Sequence, residues 1–329
     1  MSFFDLPDGV VEFDSLSEVE IMSMGGRRLR TRPNLTKSVT KLAASLMRER
    51  RITNRDYHIL ETLYGATPIL SRHQIQRLFW PDAEEKTATQ LVSNRLSKLV
   101  YPYYALNVNP NTVHALASAG LEPCFAYYLD KVGIRLLEAQ REAKGQPFRT
   151  PTSSYHAMAA PLLLLHDLMV SELFVHFVLR AQQDNNLRLR WIVQWQSIIR
   201  NQANKEVVRP DAGIIVHHNQ YNTTNHYYLE LDRRKSSSQS FWQDKVQKYE
   251  MAVSDGRWRG KFGMREFPTI MVVSQHIAPK KLIEGVRQHV QGTRWLFRSW
   301  ESMLAGSDIL HGWYNLDGEF TSLLPQKMI

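Results

Sequence analysis

The 329-residue chain carries 41 Lys and Arg against 32 Asp and Glu, a formal net charge of +9, which allows two compact domains and favours an anionic partner, nucleic acid being the usual one. Its single cysteine, Cys124, excludes an internal disulfide or a cysteine-based zinc site and fits a reducing cytoplasm. The first residues hold acids and no signal-peptide core, so a cytoplasmic location is expected.

Residues 1 to 51 read as a basic arm. Between Met24 and Arg55 ten basic residues stand against one acid, Glu49, and Arg27, Arg28, Arg30 and Arg32 are the residues expected to lie along a phosphate backbone. A helix is predicted near Leu35 to Arg51.

Residues 52 to 121 read as helix, helix, helix, hairpin. Thr53 can cap a helix with Tyr57, Ile59, Leu60 and Leu63 at helical spacing, and Ser71 can cap a short second one. The third, about Glu84 to Val100, is expected to bury Ala88, Leu91, Val92, Leu96 and Leu99. That leaves Gln90, Ser93, Asn94, Ser97 and Lys98 outward, side chains that hydrogen-bond bases and phosphates. Tyr103 to Val108 and Val113 to Leu116 are predicted as two strands around Asn109-Pro110-Asn111, the wing of a winged helix-turn-helix. Residues 122 to 157 are read as a helical connector, with Leu129, Val132, Leu136 and Leu137 at helical spacing.

Residues 158 to 329 give an α/β pattern with a mixed central sheet. The apolar stretch Ala157 to Leu179, broken by Pro161, His166, Asp167, Glu172 and His176, is read as a buried helix, since a membrane span needs about 20 apolar residues. Strands are predicted at Arg188 to Trp195, Val207 to Val216, His226 to Asp232, Thr269 to Ser274 and Arg294 to Trp300. Pro210, lacking a donor, requires an edge or a distortion. Between Ser236 and Val253 a helix presents Trp242, Val246, Tyr249 and Val253 as its packing stripe.

Acids sit inside these apolar elements: Asp211, Glu230 and Asp232 on strands, and Glu172 on the packing face of the long helix. Glu230 and Asp232 are two apart and share a strand face with Tyr228, and Lys245 can reach back to the sheet. Carboxylates converging from neighbouring strands suit a hard cation, Mg2+ or Mn2+, and a nearby lysine can offset charge during phosphodiester hydrolysis. Asp211, Glu230 and Asp232 are therefore where such chemistry is sought. No Gly-rich phosphate loop of the Walker type is present, and His217-His218 reads as a solvated turn.

Pro-Asp, a hairpin and Glu-x-Asp after an upstream helical Glu resemble the core of the PD-(D/E)xK nucleases. From about Arg55 to Trp300 the chain also resembles the replication-relaxation family of plasmid and mobile-element proteins. The matching pieces are Arg55-Asp56, Asn94 to Leu99, Leu116 to Gly120, Leu165 to Leu168, Ser171-Glu172-Leu173, Arg209 to Ala212, Leu229 to Arg233, and Lys245 with Tyr249. The resemblance implies an α/β (α+β overall) protein, a winged helix followed by a nuclease-like domain. It implies double-stranded DNA as partner, with replication or transfer proteins of the element beside it; a homodimer is a further option, and the interrupted apolar stretch leads us to expect no membrane association. By the superfamily pattern Asp211 and Glu230 are then the metal ligands, and Asp211, Glu230, Asp232, Lys245 and Glu172 the catalytic set. Asp232 stands where the superfamily has lysine, so either Lys245 or Lys235 replaces it, or the domain binds DNA without cutting it.

Overall fold

The computed structural model describes residues 38–109, 112–148, 161–236, 239–259, 263–306 and 308–324, without the side chains of 161, 162 and 239. The chain divides into two compact units, Met1–Val175 and His176–Ile329. The arm residues Arg27, Arg28, Arg30 and Arg32 lie outside the described residues.

In the first unit, helix α1 (Val39–Arg48) packs on α6 (Lys131–Ala143). Helix α2 (Asn54–Gly65) opens with a capping box: the Asp56 amide donates to Thr53 Oγ1, and the Thr53 amide donates to Asp56 Oδ2 at 2.6 Å. Ser71, on the short strand β1 (Leu70–Ser71), and Gln74 cap α3 (Arg72–Phe79) in the same way. Helix α4 (Glu85–Val100) buries Ala88, Val92, Leu96 and Leu99. Leu91, expected in the core, is 47% exposed, because it stands about 100° around the helix from Val92 and off that stripe.

Asp56 fixes α2 to α4. Besides its capping role it accepts from Arg95 Nε at 2.7 Å and from Arg95 Nη2, while Nη2 also donates to the Arg51 carbonyl at 2.8 Å. The Asp56 side chain is 1% exposed, so the bidentate arginine is what makes a charge tolerable there.

The expected hairpin is built differently. Strand β2 (Leu106–Asn109) pairs antiparallel with β3 (Ala126–Leu129), and β1 lies on the far side of β3, giving the order β1-β3-β2. Val113 to Leu116 is not a strand: Thr112–Ser118 is helix α5, its alanines favouring helix over Val113's preference for strand. Thr112 Oγ1 donates to the Asn109 carbonyl at 2.8 Å and accepts from the Ala126 amide at 3.0 Å, so it ties the excursion back to the sheet. The central strand therefore comes from residues expected to form the connector. Gly133 on α6 lies against the Ala105 carbonyl oxygen, where any Cβ would collide.

The second unit is a seven-stranded mixed sheet in the order β12-β11-β10-β9-β8-β7-β4. Helix α7 (Pro161–Gln182) contains the boundary between the units. Strand β4 (Leu187–Val193) is followed by a short α8 (Gln194–Ser197) and a separate ribbon of β5 (Ile199–Arg200) and β6 (Glu206–Val208). Then come β7 (Ala212–His218), β8 (Thr223–Asp232), α9 (Gln239–Asp255), β9 (Thr269–Ser274), α10 (Pro279–Arg287) and β10 (Trp295–Ser299). A short α11 (Trp300–Leu304), β11 (Trp313–Tyr314) and β12 (Phe320–Thr321) close the sheet. Pro210 falls in the break between β6 and β7, the distortion its missing donor requires. His217 and His218 end β7 instead of forming a turn, His217 Nδ1 lying 2.8 Å from Thr224 Oγ1.

β8 pairs antiparallel with β7 and parallel with β9, and β9 parallel with β10. Helices α9 and α10 make the two crossovers, and Tyr228, Trp242, Val246, Tyr249, Val272 and Phe297 share one core. The side of β8 that carries Tyr228 and Glu230 is thus the side covered by α9.

We expect Asp56→Ala to lower the stability of the first unit by about 3 kcal/mol in urea unfolding. A loss within the roughly 0.5 kcal/mol typical of a surface substitution would refute the anchoring role of the pair.

Candidate functional site

The pairing Ala212↔Leu229 sets Asp211, just before β7, opposite the end of β8 where Glu230 lies. The Asp211 amide donates to the Leu229 carbonyl at 2.9 Å, and its Oδ2 accepts from the Leu231 amide at 2.7 Å. Backbone on both sides thus fixes the carboxylate at the strand end.

Glu230 is 3% exposed and faces α9. Lys245 Nζ donates to its Oε2 at 2.5 Å and Tyr249 OH to its Oε1 at 2.6 Å. Lys245 and Tyr249 are one turn apart on α9, so a single helix face delivers a cation and a hydroxyl to the two oxygens. Burial pushes the Glu230 carboxyl above the ordinary glutamate range; the Lys245 charge opposes this, while Asp211's negative charge adds to it. Tyr249 is held well above the ordinary tyrosine value, first by burial and then by the Glu230 charge. Asp211 and Glu230 are therefore within electrostatic reach of each other, and Lys245 neutralises part of the pair.

Asp232 is used differently. Its Oδ1 accepts from Arg234 Nε at 2.8 Å and from the Arg234 amide at 3.1 Å, and its Oδ2 accepts from Arg234 Nη2 at 3.0 Å. Arg234 in turn lies over the Phe241 ring, 3.4 Å from its centroid. Lys235, the other lysine considered for the displaced position, is exposed. Arg209 is bonded to Glu206 through Nε at 2.9 Å and Nη2 at 2.6 Å.

Glu172 is taken up within the first unit. Its Oε2 accepts from Gln74 Nε2 at 3.0 Å, and its Oε1 pairs with Arg77. Neighbouring Ser171 donates to the Ile69 carbonyl at 2.7 Å. Gln74 and Arg77 carry no sequence signal as partners of Glu172, since they lie on a short helix nearly a hundred residues upstream. Among the described residues no group of three or more His, Cys, Asp or Glu side chains forms a metal-binding cluster.

On α4, Gln90, Asn94, Ser97 and Lys98 are exposed and Ser93 is half-buried. Gln90 Nε2 donates to Asn94 Oδ1 at 2.9 Å. No described helix is long and apolar enough to cross a membrane.

The raised Glu230 carboxyl has a signed consequence. A carboxyl whose folded pKa is raised contributes stability below its unfolded pKa and loses that contribution as pH rises through the folded value. The stability of the wild type relative to Glu230→Gln, measured by urea unfolding across acid to neutral pH, should therefore fall as pH rises. A difference that grows with pH would contradict the burial-dominated assignment.

No curated protein and no solved structure matches the chain. The family described as replication-relaxation matches residues 62–266, a span holding α3, α4, the Asp211–Glu230–Lys245 cluster and the buried Glu172 pair. With well over half of its length matched, the chain belongs to the replication-relaxation family.

Proposed function

We propose that this is a cytoplasmic DNA-binding protein of a mobile genetic element, acting in its replication, transfer or mobilisation, with a Mg2+-dependent endonuclease site at Asp211, Glu230 and Lys245. Family membership supports the replication and mobile-element part of this reading. The observation that carries the chemical part is Lys245 Nζ at 2.5 Å from Glu230, with Asp211 close enough to raise the proton affinity of Glu230. The lysine displaced by Asp232 is then supplied from α9, and the second unit is read as a PD-(D/E)xK nuclease fold.

The donor set suits magnesium, which takes one or two carboxylates and completes its shell with water and phosphate oxygens. Asp211 and Glu230 are the two carboxylates, and the extra repulsion between them is what a cation relieves. Bound there, the ion supplies the charge that polarises a scissile phosphate and acidifies a water. Lys245 would donate to the non-bridging oxygens as negative charge builds on them. Tyr249 holds Glu230 in place, and Asp232 sets Arg234 beside the site; Glu172 has a structural role.

The first unit is read as the DNA-delivery module. Support comes from the order α2, β1, α3, α4, β2, β3 with the sheet order β1-β3-β2, which fits a winged helix with α5 standing where the wing is expected. Helix α4 is then the recognition helix, with Gln90, Ser93, Asn94, Ser97 and Lys98 facing double-stranded DNA. The arm residues Arg27, Arg28, Arg30 and Arg32 bind further phosphates.

A second reading, DNA binding without cleavage, is favoured by Asp232, an acid committed to Arg234 where the superfamily has lysine. Incubation with supercoiled, linear and branched DNA in Mg2+ or Mn2+ separates the two. Cutting by the wild type, lost in Asp211→Asn and Glu230→Gln and reduced roughly 100-fold or more in Lys245→Ala, is expected; tight binding with no cutting of any substrate would leave only the second reading. Independently, replacing the four arm arginines should weaken DNA binding and reduce its log-log salt slope by about 0.9 for each phosphate that is no longer neutralised. An unchanged slope would remove the arm from the interface.

A further inference from the structure

Beside the Asp211–Glu230–Lys245 cluster stands an exposed aromatic ring that the proposed hydrolysis does not use. Phe241, in the first turn of α9, is 40% exposed although its neighbour Trp242 is 1% exposed. The ring is held from two sides: the Arg234 guanidinium lies 3.4 Å from its centroid, and Trp242 meets it edge-on at 5.5 Å and 87°. Arg234 is itself fixed by Asp232, through Nε and Nη2, and its Nη1 has no hydrogen-bond partner among the described residues. Lys245 Nζ, which bonds Glu230, is 5.7 Å from the same ring centroid. Phe241, Lys245 and Tyr249 recur every four residues, so one side of α9 carries the ring, the ammonium and the hydroxyl in series.

A rigid, partly exposed ring next to two cations and an acid pair matches one nucleotide unit: a base on the ring, with a phosphate near Lys245 and Arg234. A paired base inside a duplex is covered on both faces by its neighbours, so only an unpaired or extruded base can lie on Phe241. We propose that Phe241, backed by Arg234, is a stacking platform for an unpaired nucleobase, and that the site engages single-stranded or locally opened DNA in preference to intact duplex. This rests on the reading of the cluster as a DNA-processing site and names its substrate class. It also gives Asp232 a purpose: the acid that displaces the superfamily lysine holds the arginine under the platform.

The test is fluorescence anisotropy with full-length protein in EDTA, using a labelled single strand, the same strand with abasic sites throughout, the matching duplex, and a gapped duplex. The wild type should bind the gapped duplex more tightly than the intact duplex, which the first unit alone can hold, and the abasic strand about tenfold more weakly than the base-bearing one. Phe241→Ala should bring the base-bearing strand down to the abasic level and leave duplex affinity unchanged, while Phe241→Trp should retain the preference. Equal wild-type affinity for abasic and base-bearing strands would overturn the platform whatever the folding of the variants, as would an equal loss on duplex and single strand in a folded Phe241→Ala. With no metal present the result is independent of cleavage. A protein that stacks but never cuts keeps this inference and loses the endonuclease; one that cuts with no preference for unpaired bases does the reverse.

Discussion

A carboxylate in the middle of an apolar interface sets the architecture of the second unit. Glu230 sits on the face of β8 covered by α9, among Tyr228, Trp242, Tyr249 and Val272. An ionised carboxyl is costly there unless each oxygen has a partner. Lys245 and Tyr249 are those partners, and because both come from one helix they fix the rotation of α9 about its axis. That rotation also places Trp242 and Val246 in the core and leaves Phe241 at the surface. A hydrophobic residue at position 230 would pack more simply, so the acid and its lysine depart from the packing rule that the rest of this core follows.

Three of the other buried acids are held in a different way. Asp56 is bound by one arginine and a capping box, and Glu172 by Arg77 and Gln74, each within the first unit. Asp232 is held by Arg234, two residues on. Each of these acids is matched by a guanidinium, which stays charged and holds a planar fork. Glu230 meets a lysine, a compact cation on a flexible stem, and feels the negative charge of Asp211; buried Glu61 also pairs with a lysine, Lys144, at the longer distance of 4.0 Å. A guanidinium locks an acid; an ammonium can be moved from it.

Much of this is legible in the sequence. Thr53 and Ser71 cap their helices through the signals that cap residues carry, and the mixed sheet follows from strands alternating with helices. That Lys245 reaches back to the sheet is readable from the helical stripe, because it lies one turn from both Trp242 and Tyr249; that it meets Glu230 there is not. What the sequence hides depends on long-range pairing. The partner of β2 lies beyond an inserted helix, and no local propensity says that Ala126 to Leu129 closes that sheet when Val113 to Leu116 is nearer. The fate of Glu172 is hidden for the same reason: a carboxylate on a packing face reads identically whether it meets a site or an arginine from a distant helix. Leu91 misses the core by a single residue of helical phase.

The central claim is that Asp211 and Glu230 act together as the acid pair of one cation-binding site with Lys245 as its resident counter-charge. Calorimetric titration of the full-length protein with Mn2+ tests it most directly. The account predicts saturable binding that strengthens as pH rises through the Glu230 ionisation, since a ligating carboxyl must lose its proton, and loss of that binding in both Asp211→Asn and Glu230→Gln. Wild-type and variant isotherms that coincide, or binding indifferent to pH across that range, would contradict it.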